Sequence, residues 1–409
     1  MESLEAALRF GADAVYVGGP KLQLRAGSAG FAMDALSEAA RRAHALGRKL
    51  YVTVNAFPTN GEIDALGDYA QALSALGADA AIVADLGAIA TIRKAAPKLA
   101  VHVSTQANCL NYAAARAYHD MGARRVVLGR EMTLEQIAEL RAKTPADLEL
   151  EAFVHGAMCM AYSGRCMLSA YLTGRSANRG ACAQTCRWRY ALVEEKRPGE
   201  YFPVEEDAGG TTILSSFDLN ALGFLDCVAA AGVTSFKLEG RMKSPYYVAT
   251  VTNAYRRRID GMLDGTASPE QVARLERELD AASHRAYASG FYFGEMKRHA
   301  PEDGVYLGDC TFVGVVKEAL PGGRIRVEVR NRFRAGDTLE VLSPNALGLA
   351  LVAANLTGGD GLALDAATVP MTLVDMDGAE GIEPGDYLRV RSVDSQNVLP
   401  DTLRARGAD

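Results

Sequence analysis

The feature that most constrains the fold is a pattern that recurs through the first 240 residues. Five times, a helix-forming stretch rich in alanine and leucine ends at a glycine, and a short apolar run follows. A glycine just past a helix C-terminus can adopt a positive φ, where a side chain would clash. The apolar run after it is typical of a strand buried on both faces, so the repeats predict a parallel sheet. The five runs are residues 11–17, 47–53, 77–83, 122–128 and 232–238.

Two further apolar runs, residues 100–104 and 148–154, bring the predicted strands to seven. A closed (β/α) barrel has eight strands, and this sequence opens directly on a predicted helix, residues 3–10. We therefore predict a TIM-like (β/α) barrel in which the first strand is missing from this sequence. An open doubly wound sheet is the alternative.

The remainder of the chain predicts a second domain. A helical pattern runs from Ser244 to about Gly290, broken near Gly265, and strand-and-turn alternation begins near residue 305. We predict a barrel domain over residues 1–300 and a small antiparallel β-barrel over residues 301–409. The odd count of seven cysteines and the absence of a charged leader predict a cytoplasmic protein, and the absence of a long apolar run predicts no membrane span. Because the net charge is −6, any binding of nucleic acid must come from a local basic patch.

Four of the seven cysteines cluster in a predicted insertion, residues 157–233, between strands seven and eight of the barrel. Six, fifteen and three residues separate them, a spacing that lacks the paired two-residue gaps of a zinc knuckle. An iron–sulfur cluster needs four thiolates and tolerates irregular spacing. The pattern favours such a cluster, while a structural zinc and reduced cysteines, one of them a nucleophile, remain alternatives. The four are Cys159, Cys166, Cys182 and Cys186.

Three blocks of sequence resemble the collagenase-like peptidases, peptidase family U32. They span residues 151–169, 178–188 and 237–243, and the likeness covers most of the chain. Within the family, the chain is most similar to the branch that hydroxylates tRNA. The resemblance implies formation of 5-hydroxyuridine at the wobble position, with prephenate as co-substrate in place of molecular oxygen. It also implies that the four clustered cysteines hold a [4Fe–4S] cluster, delivered by iron–sulfur assembly machinery, with Cys227 as a reserve ligand.

Site residues follow from these blocks and from the expected strand ends. Glu239 and His155 close strands eight and seven, where barrel enzymes place acid–base groups, and Arg241 lies beside Glu239. Asn55 and Gln106 are weaker candidates at other strand ends. Arginines suit RNA phosphates and the carboxylates of prephenate, and aromatic rings can stack an extruded base. The predicted substrate-binding residues are Arg165, Arg179, Arg187, Lys243, Tyr162 and Trp188.

Two other functions remain open. The family name suggests a peptidase, in which Cys159 would be the nucleophile and His155 its base. However, no His-Glu-x-x-His or Gly-x-Ser-x-Gly motif is present, and three nearby cysteines would be unexplained. The other possibility is an RNA-binding scaffold with a structural metal. Phe217 departs from the family, because many relatives carry a basic residue there.

Overall fold

The computed structural model describes residues 1–24, 30–158, 166–177, 180–185, 192–193, 201–202, 217–294 and 307–391. The chain forms two compact units. The parallel-sheet unit comprises residues 13–242 and 285–305, and the β-module unit comprises residues 1–12, 243–284 and 306–409. Contacts thus group the first helix and residues 243–284 with the C-terminal strands, whereas the sequence-based division places them in the barrel domain.

Helices and strands alternate up to residue 157, apart from two consecutive helices within residues 60–75, and short strands are added between residues 157 and 235. After α1 (Glu2–Arg9) come β1 (Ala14–Gly18), α2 (Met33–Ala45), β2 (Lys49–Val54), α3 (Asn60–Asp64), α4 (Leu66–Ala75), β3 (Ala80–Val83), α5 (Leu86–Ala95), β4 (Ala100–Val103), α6 (Tyr112–Asp120), β5 (Arg125–Val127), α7 (Leu134–Ala142), β6 (Glu149–Ala157), α8 (Leu168–Thr173), β7 (Leu192–Val193), β8 (Tyr201–Phe202), β9 (Asp218–Asn220), α9 (Leu225–Ala230) and β10 (Ser235–Leu238).

The seven predicted strands are confirmed as β1 to β6 and β10. They form a parallel sheet in which each of β1 to β5 pairs with the next strand and β10 pairs with β6. The glycines that precede five of these strands all have positive φ, between 67° and 98°. The repeated glycine in the sequence therefore reflects the positive φ that the backbone adopts at the end of each preceding helix.

The sheet curves until its first and last parallel strands face each other. In a flat sheet, six inter-strand spacings of about 4.8 Å would separate β1 from β10 by about 29 Å. Instead, the Tyr16 hydroxyl on β1 lies 2.9 Å from Glu239 Oε2, just after β10. Lys237 Nζ on β10 lies 4.1 Å from the centroid of the Tyr16 ring. Within the described residues, no backbone ladder joins β1 to β10.

The insertion also contributes to the sheet, which the sequence pattern did not predict. Strand β9 pairs antiparallel with the end of β6, and β11 (Tyr287–Ala288) pairs parallel with β9. The prediction that the helical pattern extends to about Gly290 is therefore wrong in its last part, because Tyr287 and Ala288 form a strand. Strands of two or three residues are too short to show an alternating pattern, so the sequence could not distinguish them from loop.

Over its described residues, the β-module unit combines three helices with an antiparallel sheet. Helices α10 (Pro245–Leu263) and α11 (Pro269–Leu279) follow β10, and the Ser268 hydroxyl caps α11 by accepting the Gln271 N–H at 3.2 Å. The strands are β12 (Cys310–Leu320), β13 (Arg324–Val329), β14 (Phe333–Arg334), β15 (Thr338–Leu342), β16 (Leu349–Val352), β17 (Thr357–Gly358), β18 (Ala366–Ala367), β19 (Leu373–Asp377) and β20 (Tyr387–Arg391).

The antiparallel sheet has the order β16-β15-β20-β12-β13-β19-β17, and β14 pairs separately with β18. Its core is apolar and fully enclosed, with Val313, Val327, Leu339 and Leu388 all at 0% exposure. The predicted antiparallel β domain is thus confirmed. No helix in the described part of the chain has the length and apolarity that crossing a bilayer requires.

Candidate active site at the carboxyl ends of the strands

A group of polar side chains lies at the carboxyl ends of the parallel strands, where barrel enzymes carry their chemistry. We call it the strand-end site. It is built on β1, β2, and β10 with the residues that follow β10. Its members are Tyr16, Thr53, Lys237, Glu239 and Arg241.

Glu239 is held from two sides. Its Oε2 accepts the Tyr16 hydroxyl at 2.9 Å, and its Oε1 accepts the Arg241 backbone N–H at 3.2 Å. Burial, together with the Glu239 charge, raises the pKa of Tyr16 well above 10, so the phenol stays protonated and donates. The carboxylate is therefore oriented by a permanent donor and can serve as a hydrogen-bond acceptor or a base.

The Arg241 side chain reaches across the sheet from β10 toward β1 and β2. Its Nη1 lies 3.5 Å from Thr53 Oγ1. A Cβ atom at Gly18 would lie only 2.0 Å from Arg241 Nη2, so the guanidinium occupies the space that a side chain on β1 would need. Arg241 thus presents a planar cation at the strand ends, a group suited to carboxylate or phosphate.

A buried charge network lies next to this site. Glu151 on β6 is 3% exposed, and its two oxygens accept from Lys237 Nζ at 2.6 Å and from Arg125 Nη1 at 2.8 Å. Ser235 Oγ adds a third hydrogen bond at 2.8 Å. Burial would raise the pKa of Glu151, but Lys237 and Arg125 lower it to about 2, so the carboxylate is ionised and fixes the ammonium of Lys237.

His102 on β4 belongs to the same interior. Its ring meets the Tyr51 ring edge-on, with centroids 4.7 Å apart. Burial lowers the pKa of His102 to about 3, and the positive charge of Arg125 acts in the same direction, so the imidazole is neutral. Sequence reasoning missed Tyr16, Lys237 and Arg125 as site residues. The alternation of side chains along β1, β5 and β10 could have predicted that these three residues point to the same face of the sheet. It could not have predicted which of them are in contact.

Two of the predicted catalytic residues lie side by side. The His155 carbonyl accepts the Glu239 N–H at 3.0 Å, and a Cβ at Gly156 would lie 2.6 Å from the Glu239 carbonyl oxygen. His155 itself is 1% exposed, and its ring centroid is 5.4 Å from that of Tyr287. The structure thus brings His155 to the site through its backbone. An acid–base role for its side chain stays a prediction.

The other candidates occupy different surroundings. Lys243 belongs to the β-module unit, where its Nζ donates to Ser283 O at 3.3 Å. Asn55 Nδ2 lies 3.5 Å from Ser104 Oγ, and Gln106 lies in the short 3-10 turn that Ser104 caps. Phe217 is 5% exposed and packs in the interior.

Two of the four clustered cysteines lie within the described residues. Cys166 and Cys182 are partly buried free thiols. Ser169, in the first turn of α8, accepts the Ala183 N–H at 2.9 Å, which brings the residue after Cys182 to the helix end that Cys166 precedes. The described residues contain no group of three or more metal-ligating side chains. The remaining predicted ligands and contacts, Cys159, Cys186, Arg165, Arg179, Arg187, Tyr162 and Trp188, lie outside the described residues.

Comparison with known proteins gives consistent matches along the chain. The profile of "Peptidase family U32" matches residues 1–303, and that of "Peptidase family U32 C-terminal domain" matches residues 309–389. "tRNA hydroxylation protein P1" of Bacillus subtilis is 37% identical over 396 residues, covering 95% of this chain and 92% of that protein.

Two further relatives in this comparison have names that imply different activities. "tRNA hydroxylation protein P" of Escherichia coli is 36% identical over 390 residues, covering 84% of each chain. A protein of Porphyromonas gingivalis named "Collagenase" is 36% identical over 304 residues, covering 72% of each chain. On these matches, the chain belongs to peptidase family U32.

Proposed function

We propose that this chain is a cytoplasmic tRNA-modifying enzyme that forms 5-hydroxyuridine at the wobble position, with prephenate as its co-substrate. The observation that carries the proposal is the 37% identity to a B. subtilis tRNA hydroxylation protein over 95% of this chain. The match includes both the parallel-sheet unit and the β-module, so the whole architecture is shared rather than one domain.

The strand-end site supports this function through its charges. Arg241 presents a guanidinium that can bind a carboxylate of prephenate through two parallel hydrogen bonds. Glu239, oriented by the protonated Tyr16, can accept a proton from a bound substrate. Lys237 is tied to Glu151 at 2.6 Å and places a fixed positive charge near both groups.

A thiolate-ligated iron–sulfur cluster fits the described cysteines. Cys166 and Cys182 are free thiols and partly buried. Cys166 lies two residues before α8, and Ser169 in the first turn of α8 accepts the N–H of Ala183, the residue after Cys182. Cys159 and Cys186 would complete the ligand set, and iron–sulfur assembly machinery would be a partner. When bound, a [4Fe–4S] cluster would supply one-electron chemistry.

The proposal is tested by analysing tRNA nucleosides by mass spectrometry. The host is a bacterial strain from which its own tRNA hydroxylation genes have been deleted. We expect this chain to restore 5-hydroxyuridine derivatives, and Cys166→Ser to abolish them. Cys310→Ser is the matched control, because Cys310 lies in β12 and belongs to none of the predicted ligand sets, and we expect it to behave as wild type. Nucleosides unchanged by the wild-type chain would reject the proposal.

Anaerobic purification tests the cofactor separately. We expect a brown protein with visible charge-transfer absorption that Cys166→Ser removes and that the control Cys310→Ser retains. A colourless protein loaded with zinc would instead support the RNA-binding scaffold with a structural metal.

The collagenase relative favours one second candidate, a peptidase acting on unfolded chains. A peptidase should cleave gelatin and lose that activity on Cys159→Ala while the fold is retained. Cleavage that survives this substitution would exclude Cys159 as the nucleophile, and the absence of cleavage by the wild-type chain would exclude the peptidase.

We further propose that one more strand, lying between β1 and β10, completes the (β/α) barrel. The support is the approach of Tyr16 to Glu239 together with the lack of a described ladder between the two strands. A chain extended at its N-terminus with the corresponding strand of a relative should melt at a higher temperature in circular dichroism. An unchanged or lower melting temperature would count against the extra strand.

A further inference from the structure

The loop between β1 and α2 is tied to the carboxyl end of a neighbouring strand. Its described parts are residues 19–24 and 30–32. The Leu22 carbonyl accepts the Ala56 N–H, just after β2, at 3.0 Å. Leu22 also has a φ of +54°, a left-handed conformation that costs leucine energy and persists only where the surroundings fix it. The loop is therefore held in one conformation beside the strand-end site.

The Gln23 side chain extends from this loop to the strand-end site. A Cβ atom at Gly18 would lie 2.0 Å from Gln23 Oε1 and also 2.0 Å from Arg241 Nη2, so these two atoms are no farther apart than twice that distance. Gln23 Oε1 is buried and accepts no hydrogen bond from a described residue. Because the oxygen is an acceptor and the neighbouring guanidinium is a cation, the two groups attract each other and Gln23 limits where Arg241 can move.

Glycines provide the room for this carboxamide. A Cβ at Gly30 would lie 2.4 Å from Gln23 Nε2 and 2.2 Å from the Gly19 carbonyl oxygen, so a side chain at position 30 would collide with both. The carboxamide thus lies between Gly18 and Gly30, with its oxygen next to Arg241. A side chain enclosed in this way has few alternative rotamers, so its contact with the guanidinium is a fixed feature of the fold.

The backbone of Gln23 contacts residues 180–185, which we call the cysteine-bearing segment because they include Cys182. A Cβ at Gly180 would lie 2.4 Å from the Gln23 carbonyl oxygen, so the two backbones meet without an intervening side chain. Gly180 lies two residues before Cys182, one of the predicted cluster ligands. The position of the cysteine-bearing segment therefore affects the residue that confines Arg241.

We propose that Gln23 is a positioning residue for Arg241, and that the cysteine-bearing segment holds Gln23 in place. Through Gln23, this segment sets the guanidinium that binds a carboxylate. Resting on the proposed function, we take the carboxylate to be that of prephenate. The site then binds prephenate tightly only when the cysteine-bearing segment is correctly packed.

The variant Gln23→Glu tests the contact with Arg241. Its new carboxylate would lie beside the guanidinium, pair with it and compete with prephenate. We expect calorimetry to show prephenate affinity about tenfold to 100-fold weaker, the effect of one charged hydrogen-bonded contact, with the melting temperature unchanged. Gln71→Glu is the charge-matched control, because Gln71 is exposed on α4, and it should change neither quantity.

A double-mutant cycle with Arg241→Gln separates this contact from a general effect of charge. In the Arg241→Gln background, Gln23→Glu should weaken prephenate binding no further, because the guanidinium is already gone. It should now lower the melting temperature, because the new buried carboxylate has lost its partner. In the background that keeps Arg241, the KM for prephenate should rise while kcat stays within about twofold.

Two alanine substitutions test the link to the cysteine-bearing segment. Gly180→Ala and Gly174→Ala both place alanine at a positive φ, +85° and +70°, so the backbone strain is matched. Only Gly180→Ala brings a methyl group against Gln23, because nothing lies within 4 Å of a Cβ at Gly174. We expect prephenate affinity to fall about tenfold in Gly180→Ala and to stay near wild type in Gly174→Ala. Equal affinities of the two variants would reject the link.

The results distinguish this inference from the proposed function. If the wild-type chain binds prephenate and Gln23→Glu binds it equally well, Gln23 does not position Arg241, and the proposed function stands. If the wild-type chain binds no prephenate, the proposed co-substrate is rejected, and the melting temperatures of the cycle decide whether Gln23 contacts Arg241. Equal effects of Gln23→Glu on the melting temperature with and without Arg241 would overturn the contact.

Discussion

Replacing Glu151 with glutamine removes the buried carboxylate that Lys237 and Arg125 share. Burial alone would raise the pKa of this carboxyl, yet the two cations lower it from 4.5 to about 2. This difference corresponds to about 3 kcal/mol of unfolding free energy at pH 7. Removing one partner of a buried ion pair typically costs about 3 to 5 kcal/mol, so two independent estimates agree.

The effect of pH has a definite sign. Because the pKa of Glu151 is lower in the folded chain than in the unfolded chain, its stabilisation is complete above about pH 4.5 and is lost as the pH falls toward 2. The stability difference between wild type and Glu151→Gln should therefore shrink from about 3 kcal/mol at pH 7 to about 2 kcal/mol near pH 3.5.

Urea denaturation followed by far-ultraviolet circular dichroism measures this difference. The matched control is Glu139→Gln, which removes a carboxylate that is 61% exposed and paired with Lys143 on the surface of α7. We expect the control to change stability little at any pH, since exposed ion pairs contribute little. A Glu151→Gln variant as stable as wild type at pH 7, or a difference that grows as the pH falls, would refute the reasoning.

Two glycine substitutions test the site and its support. Gly18→Ala should leave the melting temperature unchanged, because the new Cβ would meet only the ends of flexible side chains. It should reduce tRNA hydroxylation about tenfold to 100-fold, because the new Cβ would displace the Arg241 guanidinium. Gly61→Ala, with no atom within 4 Å of the new Cβ, should leave both unchanged. Gly156→Ala, at φ +108° and 2.6 Å from the Glu239 carbonyl oxygen, should lower stability by about 3 kcal/mol or more in urea denaturation. Normal hydroxylation by Gly18→Ala, or wild-type stability of Gly156→Ala, would contradict these assignments.

The parallel strands were predictable because their signal is local. The backbone conformation at each glycine that ends a helix is set by a few neighbouring residues, and so is that of the apolar run that follows it. The cap of α11 was predictable for the same reason, since Ser268 and Gln271 are three residues apart. Strands β9 and β11 were not, because their two or three residues gain stability only from pairing with distant chain.

The strand-end site could be predicted from the sequence only in part, because some of its residues are far apart along the chain. Glu239 and Arg241 could be proposed from their place after a strand, as barrel enzymes place chemistry there. The donor that orients Glu239, Tyr16, lies 223 positions away along the chain, and nothing in the sequence links the two. The curvature of the sheet brings them together. The grouping of residues 243–284 with the C-terminal strands is likewise a property of packing.

The central claim is that this chain hydroxylates a tRNA uridine. The most direct measurement incubates anaerobically purified protein with unmodified tRNA and prephenate, and then determines the mass of the wobble uridine nucleoside. We expect it to gain the mass of one oxygen atom with the wild-type chain, and to gain nothing with Cys166→Ser or without prephenate. Unmodified uridine from the wild-type protein with its iron–sulfur cluster in place would contradict the claim.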